Sequence, residues 1–228
     1  MIRENLNRIR EQIAAVAARC GRNPGEIELL AVSKRMEAGR IREAYQCGQL
    51  SFGENFVQEA REKIPLLDPA IRWHCIGHLQ SNKAREAARL FAMVETVDRM
   101  KLAAELNKHA AVLGRGLDIL VQVNVGLEPQ KSGIAPEKIE QFLQDLGTLR
   151  HLRVRGLMTI PPYAENPEQS RPSFRALRKL AERCRTLGLF ADNDAVVLSM
   201  GMSGDYPVAI EEGATLVRIG TAIFGERN

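Results

Sequence analysis

Short apolar runs alternating with helical stretches recur eight times along the chain, and that order constrains the fold more than any other feature. The runs span Glu28 to Ser33, Leu50 to Gly53, Arg72 to Ile76, Met93 to Val97, Leu117 to Val123, Arg153 to Leu157, Ala195 to Leu198 and Thr215 to Ile219. Amphipathic stretches at about 37–47, 55–64, 80–90, 99–113, 136–147, 167–187 and 205–212 separate them and predict helices. A repeated strand–helix order implies parallel pairing with right-handed crossovers, and eight such units suit a closed (β/α)8 barrel better than an open sheet. Every strand but the last is followed by a helix in this reading. Ahead of the first strand, Ile2, Leu6, Ile9, Ile13, Val16 and Cys20 recur at steps of four and three. They predict an extra N-terminal helix that Gly21 ends as a left-handed residue.

At 228 residues the chain is near the low end for such a barrel, so one domain over 1–228 is expected. Only Glu226, Arg227 and Asn228 follow the last strand's turn, and no Ser/Gly linker or charge block marks a boundary. Composition agrees with a folded protein that needs no disulfide or metal staple: 45% of residues are hydrophobic and 26% charged. The net charge of +4 is spread along the chain and too small to imply nucleic acid. Arg171, Arg175 and Arg178 follow helical steps, and a solvated helix face accounts for them better than an RNA-binding stripe, because no aromatic stacking platform is visible. Cys20, Cys47, Cys75 and Cys184 lack CxxC spacing and read as buried thiols in a reducing compartment. No apolar segment approaches the roughly 20 residues of a membrane-spanning helix, and the N-terminus is charged where a signal peptide needs an apolar core. A cytoplasmic protein without membrane or nucleic-acid partners is therefore expected, with a monomer as its state.

Active sites of (β/α)8 barrels lie at the C-terminal ends of the strands. Polar residues gather there: Ser33-Lys34, Gly53-Glu54-Asn55, Gly77-His78, Asn124, Ser199, and Arg218 with Gly220-Thr221. Lys34 follows the apolar run LLAV, which would place its amine in a partly desolvated pocket suited to a Schiff base. From spacing alone, a surface lysine just past a strand is the better reading. Segment 199–205, SMGMSGD, precedes a short helix that Asp205 can cap and Gly213 can end, so it reads either as an anion site or as an ordinary Gly/Ser loop. Gly220-Thr221 adds a second small-residue turn, and the loops after strands seven and eight often bind phosphate in this fold. His74 and His78 have the i, i+4 spacing of a metal pair but lack an HExxH glutamate, and no metal is expected.

The segments AVSK at 31–34, FGENFVQE at 52–59, WHCIGHLQSNK at 73–83, LSMGMSGD at 198–205 and RIGTAIFG at 218–225 resemble the pyridoxal 5′-phosphate (PLP) homeostasis proteins, the YggS/PROSC family. The likeness runs in order over almost the whole chain. It implies a single barrel of the alanine-racemase type that carries PLP on a lysine without the racemase's second domain, and no established turnover. Carried over residue by residue, it makes Lys34 the Schiff-base lysine and places Ser199, Gly201, Gly220 and Thr221 about the PLP phosphate. Arg218 would face the pyridine nitrogen, and Asn55 and His78 would lie near the ring. Where the family usually reads GENY this chain has Phe56, which removes a hydroxyl.

The resemblance implies a PLP-binding protein that exchanges its cofactor with apo-enzymes or free amino acids. An arginine agrees with that, because a guanidinium does not surrender its proton and would leave the pyridine nitrogen an unprotonated acceptor, a weak electron sink. Two enzymatic readings stay open beside it. An amino-acid racemase would use Lys34 as one base and need a second on the opposite face, which alanine racemases take from an additional domain of a partner. A lysine Schiff-base aldolase acting on a phosphosugar would need an acid–base partner, for which Glu54 is available.

Overall fold

The structure, a computed structural model, describes residues 1–128, 132–162 and 164–225. Strands β1 (Glu28–Val32), β2 (Ser51–Glu54), β3 (Arg72–Cys75), β4 (Met93–Val97), β5 (Leu117–Gln122), β6 (Leu152–Met158), β7 (Val197–Ser199) and β8 (Leu216–Ile219) form one closed parallel barrel in chain order. The last strand closes on the first, with Leu30 in register with Arg218. Helices α2 (Ala38–Gln46), α3 (Val57–Lys63), α4 (Ala84–Leu90), α5 (Met100–Val112), α6 (Ile139–Leu146), α7 (Arg171–Thr186) and α8 (Tyr206–Glu211) connect the strands. Helix α1 (Ile2–Arg19) precedes the barrel, and the last strand is followed after all by a short helix, α9 (Thr221–Phe224). Glu226, Arg227, Asn228 and Lys131 lie outside the described residues. No helix is long and apolar enough to cross a membrane among the described residues.

Two apolar layers follow from the alternation of side chains along each strand. The large one lies between sheet and helices, and α1 joins it through Ile2, Leu6, Ile9, Ile13 and Val16. Gly21 takes the left-handed conformation expected of it, at φ 66°, whereas Cys20 is exposed beyond the stripe. The small layer fills the barrel: Leu30, Ile76 and Leu216, with Val32 and Val197 against them. Continuing the alternation past Leu30 and Val32 puts Lys34 on the inner side, above this plug. On β8 the same step carries the inner face from Leu216 to Arg218.

Two surface expectations change. Cys75 and Cys184 are buried and their thiols are pushed up to about 12 and about 11, chiefly by burial, while Cys20 is exposed and Cys47 half-buried. Arg171, Arg175 and Arg178 are no free solvated face, since all three converge on the buried Glu212 of the segment after α8, at 3.1, 2.9 and 3.6 Å. The hydrogen bond from Arg175 holds the Glu212 carboxyl below its ordinary value of 4.5. A depressed folded value means that the ionised carboxylate stabilises the fold above that ordinary value and that this contribution is lost as the pH falls through the folded one. Glu212→Gln should therefore lower the urea midpoint near pH 7 and bring it closer to that of the parent near pH 3, as read by parallel denaturation curves.

Candidate functional site

A cavity of about 320 Å³ opens at the C-terminal ends of the strands, within the range of small-ligand sites. Lys34, Asn55, Arg218, Gly220 and Thr221 all line it, drawn from the ends of β1, β2 and β8. Met202, Ser203, Gly204 and Asp205 line the side after β7, and Ile160, Pro162 and Ala164 the side after β6. The β6 segment was missed from sequence because its residues carry no polar signal.

Its floor is a buried polar chain across the barrel. His74 Nδ1 lies 2.8 Å from Glu95 Oε1, and Glu95 Oε2 accepts from Ser199 Oγ at 2.5 Å. Ser199 Oγ in turn accepts from Arg218 Nη1 at 2.7 Å, and Arg218 Nη2 donates to the Thr159 carbonyl at 2.8 Å. Ser199 is therefore not on the cavity wall. It ends β7 as a strand residue two positions beyond the inward Val197, so its hydroxyl points into the barrel beside Arg218 and is already engaged as donor and acceptor. Burial pulls the Arg218 guanidinium down from its ordinary value, and the Glu95 and Asp205 carboxylates oppose that shift. Two of its nitrogens are held from below while its edge reaches the cavity.

Gly201 and His78 also stand back from the cavity. Gly201 has φ +89°, and an added Cβ would lie 2.5 Å from the Ala209 Cβ, so this glycine serves the tight turn onto α8. Its carbonyl accepts from the Arg218 amide at 3.0 Å, which anchors Arg218 from the backbone. At Gly77 an added Cβ would lie 2.2 Å from the Asn55 carbonyl oxygen. That close approach is what sets Asn55 at the cavity, and the chain then turns His78 outward, exposed, with Nδ1 3.2 Å from Ser132 Oγ and 3.9 Å from Asp98. Asp205 accepts from the Met202 amide at 2.7 Å and makes no side-chain cap on α8, contrary to expectation.

The amides of Ser203, Gly204, Gly220 and Thr221 meet no acceptor among the described residues. These four donors and the Ser203 and Thr221 hydroxyls belong to residues on the same cavity lining, two of them in the segment 199–205 that the sequence singled out. An added Cβ on Gly204 would meet nothing within 4 Å, so that side is open to a ligand. Phe56 is 54% exposed on the rim and Asn124 closes its own turn through Glu128, so neither shapes the cavity. Glu54 is buried behind the wall, where Oε1 binds Ser33 Oγ at 2.6 Å and Lys63 Nζ at 3.0 Å. Burial pushes its carboxyl up, against the pull of Ser33 and Lys63.

The closed parallel barrel with a lysine past the end of its first strand belongs to the alanine-racemase type of barrel, as the family comparison shows. The model of the alanine racemase N-terminal domain matches residues 5–228. The pyridoxal phosphate homeostasis protein of Aquifex aeolicus is 44% identical over 98% of this chain and 97% of its own, and that of Escherichia coli K12 43% identical over 100% and 97%. PipY of Synechococcus elongatus PCC7942, in a structure with PLP bound, superposes with a TM-score of 0.87 at 38% identity over 99% of this chain and 100% of its own. Alanine racemase of Clostridium difficile 630 shares the fold, with a TM-score of 0.74 at 16% identity, and this chain covers 56% of it. The chain belongs to the pyridoxal phosphate homeostasis protein family.

Proposed function

We propose that this protein binds PLP in the barrel mouth as a Schiff base on Lys34 and serves intracellular PLP homeostasis, without turnover of its own. One observation carries the reading: an inward lysine and four residues whose amides meet no acceptor among the described residues line the same cavity, as an aldehyde and a phosphate on one small ring require. Bound PLP would supply that aldehyde and an electron-withdrawing ring. The chain's residues would do the rest: Lys34 forms the C=N bond with loss of water, and Ser203, Gly204, Gly220 and Thr221 hold the phosphate. Arg218, held from the floor, would face the ring nitrogen, and Asn55 would lie near the ring. Of the sequence-derived set, Ser199 and Gly201 would support the site from behind the lining, through their contacts with Arg218, and His78 faces outward. The domain is single over 1–228, monomeric and cytoplasmic in this reading, with apo-enzymes or free amino acids receiving PLP.

The cavity chemistry favours a carrier over an enzyme. Besides Lys34 and Arg218, Asp205 is the titratable residue on the described lining, and one of its oxygens is pinned to the Met202 amide. Glu54, the acid–base candidate of an aldolase, is turned away from the cavity. Holo-protein incubated with L-alanine and other amino acids should show negligible change in enantiomer composition and negligible loss of α-deuterium. A turnover of about 1–1,000 per second would instead establish a racemase.

Phosphate recognition gives a second measurement. A charge-assisted hydrogen bond contributes about 1.5–3 kcal/mol, so Ser203→Ala or Thr221→Val should weaken PLP binding about tenfold or more. The same variants should leave the weak binding of unphosphorylated pyridoxal nearly unchanged. Equal losses for both ligands would place the phosphate elsewhere.

A further inference from the structure

We propose that Lys63 and Glu59 of α3 clamp the main chain on both sides of Lys34 and are positioning residues for its amine, an inference that rests on Lys34 being the attachment site. Lys63 Nζ donates to the carbonyl of Ser33, the residue before Lys34, at 2.8 Å. The amide of Arg35, the residue after it, donates to Glu59 Oε1. Lys63 Nζ also reaches Glu59 Oε1 at 2.5 Å and Glu54 Oε1 at 3.0 Å, and Glu54 Oε1 accepts from Ser33 Oγ at 2.6 Å. The three donors of one ammonium are thus matched to three acceptors, and they join β1, β2 and α3 behind the cavity wall.

Arg35 shows what the clamp holds. It sits at φ +61°, in the left-handed region that a residue with a Cβ seldom occupies. Such a conformation persists only where its surroundings over-determine it, and here the Glu59 carboxylate is the acceptor for its amide. The reversal at Arg35 directs the chain from β1 toward α2 immediately after Lys34. A lysine has four rotatable side-chain bonds, so the approach of its amine to an aldehyde depends on how firmly its Cα is held. Neither Lys63 nor Glu59 lines the cavity, so neither touches the cofactor directly.

The test separates covalent attachment from occupancy. Apo forms of the full chain, parent and Lys63→Met, Lys63→Arg and Glu59→Gln, would be mixed with PLP and trapped with borohydride over time, and the adduct at Lys34 followed by peptide mass spectrometry. Affinity for pyridoxine 5′-phosphate, which has the ring and phosphate but no aldehyde, would be measured alongside. The clamp predicts attachment slowed about tenfold or more in Lys63→Met, with affinity for the aldehyde-free ligand kept within about threefold. Lys63→Arg should restore most of the rate, and Glu59→Gln should slow attachment in the same direction; it carries the test if Lys63→Met does not fold. Parent-like attachment rates in Glu59→Gln and in any folded Lys63→Met overturn the proposal, as does equal impairment in Lys63→Met and Lys63→Arg. A parent protein that forms no adduct at Lys34 overturns the attachment reading first, and the clamp with it.

Discussion

Lys34→Ala is expected to abolish both the imine absorption of PLP-loaded protein and its borohydride-reducible adduct. The prediction is all-or-none because Lys34 is the lysine on the described cavity lining, and the inner-face alternation Leu30, Val32, Lys34 directs it there. Lys63 is committed to Ser33, Glu54 and Glu59 behind the wall, so it offers no substitute amine. PLP should still occupy the variant non-covalently through the amides at Ser203, Gly204, Gly220 and Thr221, and remain removable by dialysis. Visible spectra before and after reduction, followed by peptide mass spectrometry, decide the outcome. An adduct mapped to Lys83 or Lys131 in the parent protein would refute the assignment.

The barrel was legible because buried parallel strands read as near-continuous apolar runs, and eight of them separated by helical stretches leave few alternatives. Lys34, Asn55, Arg218, Gly220 and Thr221 stand on the cavity lining because each lies within two residues of the C-terminal end of a strand, where the sequence already gathered polar residues. Alternation also accounts for where the structure puts Ser199: two positions beyond the inward Val197, its hydroxyl faces the barrel interior and bonds Glu95 and Arg218. The turn at Gly201 depends on a left-handed backbone and a close approach to α8, which composition does not encode. Glu54 was read as an acid–base candidate because its residue type is visible in sequence. Its neighbours Ser33 and Lys63, which engage Oε1 behind the cavity wall, come from separate segments that only the fold brings together.

The second large effect is expected at Glu95, which no sequence signal marked. Its side chain is fully buried and compensates two groups at once, His74 directly and Arg218 through the Ser199 hydroxyl. Removing one member of a buried charged network strands the others, at a cost of about 3–5 kcal/mol. For a chain of this size about 2–4 °C of Tm accompanies each kcal/mol, so Glu95→Ala should lower the Tm by roughly 6–20 °C. Ser199→Ala deletes only the relay hydroxyl and should cost less, about 1–3 kcal/mol. The two readings of Ser199 then separate cleanly by ligand. If its hydroxyl belongs to the floor, Ser199→Ala lowers the Tm and leaves the preference for PLP over pyridoxal intact, because the phosphate donors at Ser203 and Thr221 are untouched. If that preference collapses while the Tm holds, the hydroxyl reaches the phosphate, and the polar chain from His74 to Arg218 is not the fixed floor on which the Arg218 argument depends.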